Sequence, residues 1–266
     1  MNWRPAGSIE GFSRVEHPAL RAFQVRQAVP TLPAIQPFRT DMKKLLVLSL
    51  LALFSAALVR AEVTRADLVD RVETCEAILQ EFQSRSDTAI PAAVLQKARA
   101  LIIVNQFKAG IFFGVKDGYG VILVKKPNGR WSLPVLISAG EASLGLQAGA
   151  TAVETIYVIT DETTPRLLFN HRFNVGVDAK AIAGPRAAEA EKYNEEILRT
   201  PMLVYTKFAG LYAGATIKAG HLSRNDSANA LLYSTRYTMP ELLYSDWVKP
   251  APEVEPLMAL VQRIAP

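Results

Sequence analysis

The chain has 266 residues, half of them hydrophobic, with 30 Lys/Arg against 25 Asp/Glu and one cysteine. A single cysteine, Cys75, excludes an intramolecular disulfide and any cysteine-built zinc site. Residues 1–61 carry eight Lys/Arg and three Asp/Glu, so residues 62–266 hold 22 of each sign; a formally neutral domain argues against non-specific nucleic-acid binding, which scales with the phosphates neutralised.

Residues 1–41 are rich in Pro, Arg and Gln without a sustained period, and read as an extension from a start assigned upstream of Met42 or as a disordered tail. Residues 42–61 join Lys43 and Lys44 to an apolar run from Leu45 to Val59 and a small residue at Ala61, the pattern of a secretory signal peptide. The apolar run is shorter than the roughly 20 residues a spanning helix needs. The expectation is cleavage after Ala61 and export to the periplasm or cell envelope. Residues 62–249 then form the folded domain, and 250–266 a proline-rich tail with a short helix, peripheral to it.

From Thr64, a capping residue with Asp67 three positions on, the pattern Leu68, Val72, Cys75, Leu79, Phe82 predicts an amphipathic helix to about residue 85. Pro91 opens a second helix to about Ala100. Leu101 to Val104 reads as a buried strand, followed by a meander from Ala109 to Ile137. In that meander the Lys116-Asp117-Gly118 run is expected to turn, and Asn128-Gly129 marks a tight hairpin. Further strands are expected through Gly145 and Gly149, from Glu154 to Thr160, and along the alternating run from Leu211 to Gly220. Thr164 to Asn170 reads as a short helix, and residues 186–200 as a polar loop with some helical character. The fold class is α+β: N-terminal helices on a largely antiparallel, glycine-rich sheet arranged as a sandwich or barrel.

The motifs of common catalysts are missing. Around Ser143 the first glycine of a hydrolase elbow is replaced by Glu141, no P-loop occurs, and Gly118-Tyr119-Gly120 lacks the third glycine of a dinucleotide fingerprint. Beyond residue 61 only His171 and His221 occur, and no metal-ligand spacing is visible, so no catalytic residue, metal or cofactor is assigned. What remains is a glycine-rich β surface edged by cations and aromatics: Lys108, Lys116, Lys125, Lys126, Arg130, Trp131, Lys207 and Lys218. Cations meet phosphates while an indole tolerates an interface, which makes these eight the candidate lipid-contacting residues. An ordinary solubilised hairpin tip is the plainer reading of the same pattern.

The order of short pieces, Lys97-Ala98, Phe107 with Ala109-Gly110, Gly129 with Trp131-Ser132 and Pro134, Gly145 with Gln147 and Gly149, Gly176 with Asp178, Gly184-Pro185, and Tyr205 through Gly220 to Asn225-Asp226, Asn229 and Leu243, resembles the SYLF family. Two departures stand out: Arg186 and Ala187 follow Gly184-Pro185 where family members often carry another glycine, and Phe208-Ala209 separate Lys207 from Gly210. The resemblance implies non-catalytic binding of anionic phospholipid, phosphoinositides in eukaryotic relatives, some of which also bind actin. An exported protein would not meet actin. The alternative is a structural or protein-interaction module of the envelope, with an envelope protein as partner.

Overall fold

The computed structural model describes residues 62–110, 113–144, 149–169, 172–187, 195–208, 211–212 and 220–266. The signal segment, residues 145–148 and most of the alternating run after Tyr212, with Lys218, lie outside the described residues.

Helix α1 (Arg65–Ser84) starts where the sequence predicts, on a capping box. Asp67 N–H donates to the Thr64 hydroxyl at 3.2 Å, and the Thr64 N–H donates back to the Asp67 carboxylate at 2.8 Å. Its buried stripe is Leu68, Val72, Cys75, Ile78, Leu79 and Phe82. Each such side chain contributes about 1.5–3 kcal/mol by leaving water, so packing rather than propensity holds the helix in place. The second helix is shorter than expected, α2 (Ala92–Lys97). Strand β1 (Ala100–Gly110) takes over at once, with Leu101 to Val104 fully buried.

Strands β1, β2 (Phe113–Val124), β3 (Val135–Leu144) and β4 (Gly149–Ile159) are long and antiparallel. After β4 come α3 (Thr164–Leu167), β5 (Phe173–Asn174), β6 (Ala181–Ala183), α4 (Glu195–Leu198), β7 (Met202–Phe208), β8 (Leu211–Tyr212) and β9 (His221–Arg224). The described strands make one curled, mixed sheet in the order β5-β9-β3-β2-β1-β4-β7-β6, with β8 added to β7. Among the described strands, β6 with β7 is the one parallel pair. The α+β class holds, and the strands form a single sheet.

The turn expected at Lys116-Asp117-Gly118 does not form, because β2 runs straight through it. Gly118 sits opposite Gln106, and a Cβ there would come within 2.6 Å of the Asn105 carbonyl oxygen. The glycine permits a close cross-strand approach instead of a reversal. The Asn128-Gly129 hairpin does form, with Gly129 at φ +78° and its N–H donating to the Lys126 carbonyl at 2.9 Å.

Three C-terminal helices complete the fold: α5 (Asp226–Tyr233), α6 (Met239–Tyr244) and α7 (Glu255–Ile264). Helix α5 packs on β3, α6 on β2 and β3, and α7 on α1. The C-terminal segment, expected to be peripheral, is part of the core: Val254, Leu257, Val261 and Ala265 are fully buried. Pro252 and Pro256 sit in the first turns of helical segments, where a missing N–H costs nothing. Arg65 ties the two ends of this unit together, donating to Glu253 at 2.8 Å and to the Leu232 carbonyl at 3.1 Å.

Candidate functional site

Antiparallel pairing puts the start of β1 beside the ends of β2 and β4. Arg99, just before β1, donates its N–H to the Ile159 carbonyl at 2.7 Å and accepts from the Lys125 N–H at 2.8 Å. The three strand ends are thereby stitched into one rim. Beyond β4, Asp161 shapes the turn into α3: its carboxylate accepts from the Thr163 and Thr164 N–H groups at 2.7 Å and from the Thr164 hydroxyl at 2.6 Å. Burial alone would push this carboxyl up, but those donors outweigh it and hold it below the usual range. The turn carries Arg166 back over the rim.

Between these elements lies a cleft of about 390 Å³ lined by Arg99, Lys125, Lys126, Glu162, Arg166 and Tyr244, among others. Four of those six side chains are cationic and one is acidic. Arg99 and Arg166 are exposed. The Arg166 guanidinium stands 5.9 Å from the Tyr244 ring centre, and Phe169 meets the same ring edge-on at 5.9 Å. Burial pushes the Tyr244 hydroxyl up from its ordinary value, with Arg166 opposing. A half-buried aromatic wall beside convergent cations suits an anionic group attached to a less polar body. Among the described residues no cluster of His, Cys, Asp and Glu is suited to hold a metal ion.

The eight candidate side chains have different fates. Arg130 is exposed at the hairpin turn. Lys125 lines the cleft with its amine donating to the Pro266 carbonyl oxygen. Lys126 also lines it, but its amine donates to the Ser245 carbonyl and to Asp246, each at 2.7 Å, and holds the Asp246 carboxyl below its usual range. Lys108 and Lys116 are placed directly opposite one another across β1 and β2, away from this cleft along the strands. Lys218 lies outside the described residues.

Two candidates are interior. The Trp131 indole is 5% exposed and its N–H donates to the Ala265 carbonyl at 2.8 Å, so the ring seats α7 against the hairpin rather than facing an interface. Lys207 is 2% exposed, with its amine 2.5 Å from Glu81, 3.3 Å from Glu154 and 5.2 Å from the Phe82 ring centre. It pins the last turn of α1 to the sheet. Both residues sit in runs whose spacing suggests a surface, and both are claimed by elements distant in sequence.

Arg99, Glu162, Arg166 and Tyr244 are not among the eight sequence candidates. Arg99 immediately precedes β1, and Arg166 lies in α3, seven residues beyond the end of β4. Their places outside those two strand ends are the signal the sequence offers, and it becomes meaningful only once β1 and β4 are antiparallel neighbours.

Residues 140–264 match a family described as Ysc84, Las17-binding protein actin regulator. These residues belong to the Ysc84, or SYLF, family. Protein YSC84 of Saccharomyces cerevisiae is 28% identical over 180 residues, 66% of this chain and 38% of that protein. LAS seventeen-binding protein 3 of the same yeast is 27% identical over 180 residues, 66% of this chain and 39% of its own length. The human SH3 domain-containing YSC84-like protein 1 is 25% identical over 194 residues, 70% of this chain and 56% of its length. The chain thus spans about two fifths to just over half of these relatives. The SYLF match reaches through α7, in keeping with the buried C-terminal helix.

Proposed function

We propose that this SYLF domain is a non-catalytic, exported module that binds anionic phospholipid, with the headgroup phosphate received by the cleft between Arg99 and Arg166. The observation that carries this reading is the convergence of Arg99, Lys125, Lys126 and Arg166 around about 390 Å³ with Glu162 the acid among its lining residues. Near an anionic surface each basic side chain contributes about 1 kcal/mol, so the exposed Arg99, Arg166 and Arg130 together supply about 3 kcal/mol. The signal-peptide pattern of residues 42–61 supports action at the envelope.

The test is co-sedimentation of the purified protein with vesicles of phosphatidylcholine alone, with phosphatidylglycerol, and with a phosphoinositide, at low and high salt. Binding confined to the anionic vesicles and weakened by salt supports the reading. Equal binding to neutral vesicles, or none to any, refutes it. The second reading is a protein-interaction module, favoured by the family's description as Las17-binding; salt-insensitive capture of one envelope protein by a chain that ignores vesicles would establish it.

A further inference from the structure

Trp247 is 64% exposed, and Tyr237, at 40%, lies against it with ring centres 5.3 Å apart and planes tilted by 49°. An indole left largely in water forgoes the stabilisation that burying a large apolar side chain contributes. The fold holds this one in the open. Thr238 and Glu241 close a capping box that fixes the chain just after Tyr237, and Val248 tucks against the core just after Trp247. The pair therefore projects from two anchored segments.

Charges of both signs accompany it. Arg236, next to Tyr237 in sequence, and Lys249, two residues after Trp247, are exposed. The acids of the same segment are each held by a neighbour: Glu241 accepts from the Thr238 N–H and hydroxyl, each at 2.7 Å, and Asp246 is paired with Lys126. The pair is also tied to the basic cleft. Tyr244 lines that cleft, Lys126 bonds Ser245 and Asp246 from inside it, and the Trp247 backbone N–H donates to the Ser245 hydroxyl at 3.4 Å. Amphipathic rings flanked by Lys and Arg are the side chains that settle at the headgroup level of a bilayer.

We infer that Trp247 and Tyr237 form an interfacial anchor that enters an anionic bilayer alongside the Arg99–Arg166 cleft, an inference that rests on the lipid-binding reading above. Charge brings the surface in, and the two rings set its depth and orientation. Among the residues described, this places the membrane-facing surface on the 236–249 segment and the cleft rim.

The test uses Trp247 as its own reporter in the full chain carrying Trp3→Phe, with Trp131 as a buried internal reference. Vesicles contain phosphatidylcholine and phosphatidylglycerol with brominated acyl chains, and co-sedimentation is measured in parallel. The expected result is a blue shift and bromine quenching of emission, both lost in the Trp3→Phe/Trp247→Phe variant. Trp247→Ala should weaken vesicle affinity about tenfold, the equivalent of about 1.4 kcal/mol, with an unchanged urea midpoint. Intact vesicle binding with Trp247 unquenched, and Trp247→Ala binding like the parent, would overturn the anchor and leave the headgroup cleft standing. If the parent chain ignores all vesicles, both readings fall, and the aromatic pair faces a protein instead.

Discussion

Asn229 offers the sharpest check on how the C-terminal helices hold the sheet. Strand β9 pairs with β3 from Ile137 to Gly140, so on that side β3 has no strand beside Leu136, which β2 flanks on the other. There the Asn229 side chain, 1% exposed on α5, takes the place of a strand. Its oxygen accepts from the Leu136 N–H at 2.7 Å, and its amide donates to the Leu136 carbonyl and to the Asn225 carbonyl, each at 2.9 Å. Asn229→Leu keeps the volume and removes all three bonds, leaving the buried Leu136 N–H and carbonyl unpaired. Each such group costs about 1–3 kcal/mol, so the variant should lose about 3 kcal/mol. With a urea slope of about 2 kcal/mol per molar, the midpoint falls by about 1.5 M at unchanged slope. A loss under about 1 kcal/mol would show that the Leu136 groups find other partners and that α5 is not fastened to the sheet this way.

Three further outcomes follow from the same geometry. A Cβ on Gly184 would run into the Tyr205 ring, so Gly184→Ala should cost about 1–3 kcal/mol, and adding Tyr205→Leu should recover part of it in urea titrations; full stability of the single variant would refute the contact. Burial first, then Arg172, whose guanidinium lies 2.9 Å from the His221 ring nitrogen Nδ1, holds the His221 pKa below its ordinary 6.5. The folded state thus binds fewer protons than the unfolded one in that window, and stability present above 6.5 is lost as pH falls through the folded value. NMR titration should find His221 shifted down, and Arg172→Ala should bring back only the smaller part of the shift. Burial pushes the Cys75 thiol up to about 12. At pH 8 about one thiol in ten thousand is ionised, so disulfide reagents should label it only after unfolding; rapid labelling of the native protein would contradict the packing of α1.

The sequence is most informative where local chemistry decides the structure. Thr64 with Asp67 starts α1, and Asn128-Gly129 turns the hairpin, because a cap and a tight turn are settled within four residues. It is less informative where a partner far along the chain decides. Gly118 reads as a turn but is a strand residue, since only the Asn105 backbone opposite explains the missing side chain. Lys207 and Trp131 read as surface residues but are interior, claimed by Glu81 and Glu154 and by Ala265. Half of the cleft is legible in the sequence: Lys125 and Lys126 are conspicuous beside the hairpin, whereas Arg99 and Arg166 join them only through the antiparallel alignment of β1 with β4.

The central claim is that the Arg99–Arg166 cleft receives an anionic headgroup. Its most direct test compares vesicle affinity, with phosphatidylglycerol at low salt, for the parent chain, the Arg99→Gln/Arg166→Gln double variant and Lys207→Met. At about 1 kcal/mol per cation, the double variant should bind about 30-fold more weakly, while Lys207→Met, altered only in the interior, should bind like the parent. A double variant with parental affinity would contradict the account.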